Sequence, residues 1–75
     1  MHYTKRLYDL RTDHDYRQED VADYLKITKQ AYGMYENGKR NLSIDYLIKL
    51  SEFYNVSTDY ILCITDNPNK KWDVF

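Results

Sequence analysis

Apolar side chains return at helical spacing in five stretches of this chain, separated by polar, glycine and proline punctuation. In the first, His2–Thr12, Tyr3, Leu7 and Leu10 recur with Lys5, Arg6 and Asp9 between them. Asp13, His14 and Asp15 break that pattern, because Asp side chains compete for backbone hydrogen bonds and favour loops. The second stretch, Gln18 to Leu25, puts Val21, Ala22 and Leu25 on one face. Glu19 and Asp20 sit in its first turn, where the positive end of the helix dipole favours carboxylates. Lys26 reads as the turn residue, and Ile27 as the side chain that plugs the angle between two helices.

Thr28 is a suitable N-cap for a third helix, Lys29 to about Asn37, with Tyr32 and Tyr35 on one face and Gly38 as its stop. Gly33 in its middle costs about 1 kcal/mol relative to Ala, which suggests either tolerance of a weak helix or close approach of something large. Asn41 and Leu42 make a loop, and Ser43 caps a fourth helix, Ile44–Tyr54. Its apolar positions Ile44, Leu47, Ile48, Leu50 and Tyr54 predict a broad buried stripe, ended by Asn55. Val56 enters the core, Ser57 caps a fifth helix, and Tyr60, Ile61 and Ile64 supply its buried side. Asp66-Asn67-Pro68-Asn69 is a stop. No strand pair is convincing, so the pattern predicts an all-α domain over residues 1–66, followed by a tail, 67–75. Trp72, Val74 and Phe75 make that tail either a frayed terminus or a support for a dimer.

With 75 residues the chain is one domain, near the lower limit for a single stable core. Its one cysteine, Cys63, excludes an internal disulfide and a cysteine-based zinc site, so no metal or cofactor is expected. The opening residues lack the apolar run of a signal peptide, and Tyr60–Ile64 is too short to cross a bilayer, which predicts a cytoplasmic protein with no membrane partner. His2 and His14 stand isolated, and nothing places a nucleophile or a phosphate loop, so an enzyme is not expected. The net charge of −1 argues against a general polyanion binder, but it is unevenly spread. Asp9–Asp23 carries six acids against two arginines, whereas Lys26–Arg40 carries four bases against Glu36.

The offsets Gln18-x-x-x-Ala22, Ile27-Thr28, Tyr35-Glu36-x-Gly38-Lys39-Arg40 and Val56-Ser57-x-Asp59-Tyr60-Ile61-Leu62 resemble the helix-turn-helix of lambdoid phage repressors, Cro proteins and Xre-type bacterial regulators. The match covers roughly Lys5 to Cys63. It implies a compact five-helix, lambda-repressor-like bundle whose DNA-binding unit is residues 18–38. The resemblance further implies a transcriptional regulator, more often a repressor, that places helix 29–37 in the major groove of double-stranded DNA. Homodimers of such folds address half-sites about 34–36 Å apart.

By position in that resemblance, Lys29, Gln30 and Met34 are the base-reading residues. Lys29 suits guanine O6/N7, Gln30 suits adenine N6/N7, and Met34 offers an apolar contact, with a minor core role as its alternative. Gln18, Lys26, Thr28, Asn37, Lys39 and Arg40 are the expected contacts to the DNA backbone, which position without reading sequence. Arg11 and Glu36 are the expected internal ion pair. Three residues depart from the usual pattern: Lys26 stands where glycine is common, Arg17 where a serine or threonine cap is common, and Tyr32 and Tyr35 enlarge the core. The low pI of about 6.0 leaves open a protein-interaction module, such as an antitoxin, built on the same fold. No ligand-binding segment follows the bundle in the sequence, so a small-molecule effector is not expected.

Overall fold

The computed structural model describes residues 2–69. Trp72, Val74 and Phe75, and with them the tail's expected role in a dimer, lie outside those residues. Five helices follow one another: α1 (Tyr3–Asp13), α2 (Gln18–Leu25), α3 (Lys29–Glu36), α4 (Ile44–Tyr54) and α5 (Thr58–Ile61).

The starts of these helices are chemically explicit. Thr28 Oγ1 accepts from Ala31 N at 3.0 Å, Ser43 Oγ from Tyr46 N at 3.2 Å, and Ser57 Oγ from Tyr60 N at 3.0 Å. Each satisfies a first-turn amide that has no partner within its helix. At α2 the capping runs in the other direction. Arg17 has no side chain able to accept, and instead its own N–H donates to Asp20 Oδ2 at 2.8 Å. That carboxylate also sits where the helix dipole favours it.

The ends share one device. Asp15, Lys26, Gly38, Asn55 and Cys63 all have φ between +55° and +78°. After each, the next N–H reaches back five residues: Tyr16 to Arg11 O, Ile27 to Ala22 O, Lys39 to Met34 O, Val56 to Ser51 O and Ile64 to Asp59 O. A left-handed residue turns the chain across the helix end and so satisfies its otherwise free carbonyls. Only Gly38 adopts this conformation without a Cβ penalty.

Leu7, Leu10, Val21, Ala22, Leu25, Tyr32, Leu50, Tyr54, Val56 and Ile61 make one buried core. Ala22 is small enough for α2 and α3 to approach closely, and Ile27 packs against the core from the turn between them. The expected α4 stripe is narrower than its spacing suggests. Ile44 is 74% exposed and Ile48 47%, while Leu50, Ser51 and Tyr54 carry the buried arc. Ser51 tolerates burial because its hydroxyl donates to Val56 O. Ile64, expected on the buried side of α5, is 70% exposed, because α5 ends at Ile61 and the turn at Cys63 carries the chain outward.

Arg6 is the other correction. It shares the helical phase of Tyr3 and Leu10 and is 94% buried, not a surface residue between core positions. Its guanidinium lies 3.8 Å from the Tyr60 ring centroid and donates to Asp66 Oδ1 at 3.1 Å. α1 is thereby tied to the segment that follows α5. Pro68 O accepts from Ser57 N at 3.1 Å, so this segment runs back along the start of α5.

Candidate nucleic-acid interface

α2 and α3 are joined by Lys26, Ile27 and Thr28 alone. Lys26 makes the turn at φ 60° and ψ 43°, and Thr28 then opens α3 from an extended conformation. The inward side of α3 is Tyr32, with 0% exposure, together with Tyr35 and Glu36. Its outward side is Lys29, Gln30 and Met34, all exposed. Tyr35 meets Tyr46 of α4 edge-on, with ring centroids 5.7 Å apart, which fixes the rotation of α3 about its own axis.

A polar node anchors the far end of α3. Arg11 Nη2 donates to Glu36 Oε1 at 2.8 Å and Arg11 Nε to Oε2 at 2.9 Å, while Arg11 Nη1 donates to Tyr16 O at 3.0 Å. Gln18 Nε2 adds a hydrogen bond to Glu36 Oε1 at 3.3 Å, so α1, α2 and α3 meet on one carboxylate. Burial alone would push the Glu36 carboxyl up. The hydrogen bonds from Arg11 and Gln18, with the Tyr32 hydroxyl turned toward it, outweigh burial and hold it below its usual value. The Arg11 guanidinium is raised, first by its hydrogen bonds to Glu36. Burial pushes both the Tyr32 and the Tyr54 hydroxyls up, and the negative charge of Glu36 adds to the effect.

The electrostatic result is a segment of unpaired positive charge. Glu36 is the one acid between Lys26 and Arg40, and its charge is spent on Arg11 inside the fold. Lys26, Lys29, Lys39 and Arg40 are exposed and make no ion pair among the described residues. Two of these cations precede or open α3 and two follow it, across a helix about 12 Å long. Lys39 N and Arg40 N both donate to Met34 O, at 2.9 and 3.2 Å, so the basic loop folds against the end of α3. Asn37 caps the helix and is exposed.

Two placements were not anticipated in the sequence. Gly33 lies one turn from the outward Lys29 and is nevertheless buried, with Gln18 Oε1 3.5 Å from where a Cβ would stand. Gln18 itself is tied to Glu36, and the spacing of the two residues gives no sign of that bond. Thr28 commits its oxygen to the α3 cap, which leaves its hydroxyl hydrogen for other partners.

The helix-turn-helix family model matches residues 7–61. This chain belongs to the helix-turn-helix family. It is 41% identical over 69 residues to the HTH-type transcriptional regulator YobD of Bacillus subtilis, covering 92% of this chain and 62% of that one. It is 33% identical over 54 residues to the cryptic phage CTXphi transcriptional repressor RstR of Vibrio cholerae, covering 72% and 49% of the two chains. The helix-turn-helix chain thus spans less than two thirds of the length of these curated relatives. A transcriptional regulator from Listeria innocua has the same fold, with a TM-score of 0.79 at 20% identity over 95% of this chain and 64% of that one.

Proposed function

We propose that this helix-turn-helix domain binds double-stranded DNA sequence-specifically and regulates transcription in the cytoplasm, as a repressor. The observation that carries this reading is the segment built on α3, where Lys29 at its start and Lys26, Lys39 and Arg40 beside its ends stand exposed while the only acid of the segment is neutralised inside. A domain of net charge −1 gathers unpaired positive charge in one segment in this way, and a phosphate backbone is what such a segment attracts. RstR, a relative over most of this chain, is named a repressor, which supports the sign of regulation.

In this reading the binding unit is residues 1–66, and α3 enters the major groove. Lys29 donates to a guanine edge, Gln30 donates to adenine N7 and accepts from its N6–H, and Met34 packs against a thymine methyl. Gln18, Lys26, Thr28, Asn37, Lys39 and Arg40 hold the phosphates on either side. Two copies act together on paired half-sites, supported by the exposed apolar residues Leu62 and Ile64 beyond α5. Selection of bound sequences from a random duplex pool tests this. A paired motif with half-sites about one helical turn apart is expected. A single unpaired motif would remove the dimer, and no enrichment would remove the DNA reading.

A further inference from the structure

Lys39 and Arg40 lie in the loop between α3 and α4, and a loop places a cation only as well as its own backbone is held. The near end of this loop is fixed by α3, since Lys39 N and Arg40 N donate to Met34 O. Its far end is fixed from α1. Leu42 N donates to Tyr3 Oη at 3.2 Å, a bond between residues 39 apart in the sequence. Leu42 is half-buried against the core, where an N–H left without an acceptor is costly. Tyr3 is held in its turn: its ring packs against the core and stacks on His2, with centroids 4.5 Å apart. Next to it, Thr4 Cγ2 lies 3.7 Å from where a Cβ on Gly38 would stand, so the first turn of α1 backs the loop at both ends. The ring alone would serve the core, and phenylalanine has the same ring. The hydroxyl acts on the loop amide.

We propose that Tyr3 is a positioning residue for DNA binding: its hydroxyl holds the far end of the α3–α4 loop, so that Lys39 and Arg40 meet the phosphates already in place. The inference rests on the DNA-binding reading above. A loop held in its bound pose has less freedom to lose on association. A protein whose competent pose is only partly populated binds more weakly by that fraction. Tyr3 acts through the loop, from the opposite end of the sequence, and not by touching the nucleic acid.

The test measures Tyr3→Phe in three backgrounds, wild type, Lys39→Ala/Arg40→Ala and Gln30→Ala, at low salt on a duplex selected from a random pool. Losing one neutral hydrogen bond predicts about three- to tenfold weaker binding for Tyr3→Phe, alike on all duplexes. In the Lys39→Ala/Arg40→Ala background the same change is expected to matter by less than about twofold, because the cations that the loop would place are gone. In Gln30→Ala it keeps its full effect. A general loss of stability would carry through all three backgrounds equally. In the free wild-type protein the Leu42 N–H is expected to exchange slowly with solvent, and faster in Tyr3→Phe. Wild-type affinity in Tyr3→Phe, or an undiminished loss without Lys39 and Arg40, would overturn the positioning role while leaving DNA binding intact. So would a Leu42 N–H that exchanges freely in the wild type, a measurement that needs no variant to fold. A wild-type chain that binds no duplex would overturn the DNA reading and this role with it.

Discussion

Arg11 on α1 and Glu36 at the end of α3 meet side-on, with Nη2 to Oε1 at 2.8 Å and Nε to Oε2 at 2.9 Å, and both side chains are largely shielded from water. A carboxylate at a helix C-terminus faces the negative end of the dipole and is unfavourable alone. Arg11 offsets that cost and aims α3 at the same time. The pair also removes the one acid from a basic segment, so a structural contact shapes the outward field.

Breaking this pair is expected to be severe. Arg11→Met leaves Glu36 buried without its partner, which costs about 3–5 kcal/mol. That is a large part of the ~5–15 kcal/mol by which domains are stable. Replacing both residues, as Arg11→Met/Glu36→Leu, leaves no orphan charge and is expected to cost less than Arg11→Met alone. Urea denaturation of wild type, Arg11→Met, Glu36→Leu and the double variant measures the coupling, and independent losses would contradict it.

The same pair sets the acid limit. The Glu36 carboxyl is held below its usual 4.5, so it binds a proton less readily folded than unfolded. Its stabilising contribution is present above pH 4.5 and is lost as pH falls through the depressed value. Glu36→Gln is expected to flatten the stability profile below pH 4.5 relative to wild type. Parallel profiles for the two proteins would assign the acid sensitivity elsewhere.

Lys26 separates fold from function. Its φ of 60° penalises a Cβ, so Lys26→Gly is expected to raise stability by about 1 kcal/mol. The same change removes a phosphate contact, which predicts weaker duplex binding and a salt slope shallower by about 0.9. A variant both more stable and equally tight would take Lys26 out of the interface.

Gln30 and Arg40 are expected to fail differently. Gln30→Ala removes a bidentate base contact worth about 1–3 kcal/mol of discrimination, so the selected site should change at one position. Arg40→Ala should weaken every duplex by a similar factor. The reverse pattern would exchange their roles.

Much of the architecture was legible from spacing. α4 begins and ends where its capping residues and apolar periodicity place it, α2 does so on periodicity alone, and α3 differs only in treating Asn37 as its cap. Burial was less legible, because a periodic pattern gives an arc and not its width. Ile44, Ile48 and Ile64 flank arcs that this small core cannot cover, whereas Arg6 lies within one and is buried over Tyr60. Asp15 and Cys63 gave no warning as left-handed turns, since neither is a residue that demands that conformation. At the interface, the exposure of Lys29, Gln30 and Met34 follows from the inward phase of Tyr32 and Tyr35. The crossing of Gln18 over Gly33 depends on how closely α2 and α3 approach, which no local pattern encodes.

The central claim is tested most directly by titrating duplex affinity against salt, using a sequence selected from a random pool. If Lys26, Lys39 and Arg40 each neutralise a phosphate, log affinity falls against log salt with a slope of about −2.7 per protomer. Absence of duplex binding at low salt, or an affinity indifferent to salt, would contradict DNA recognition and favour a protein-binding role for the same fold.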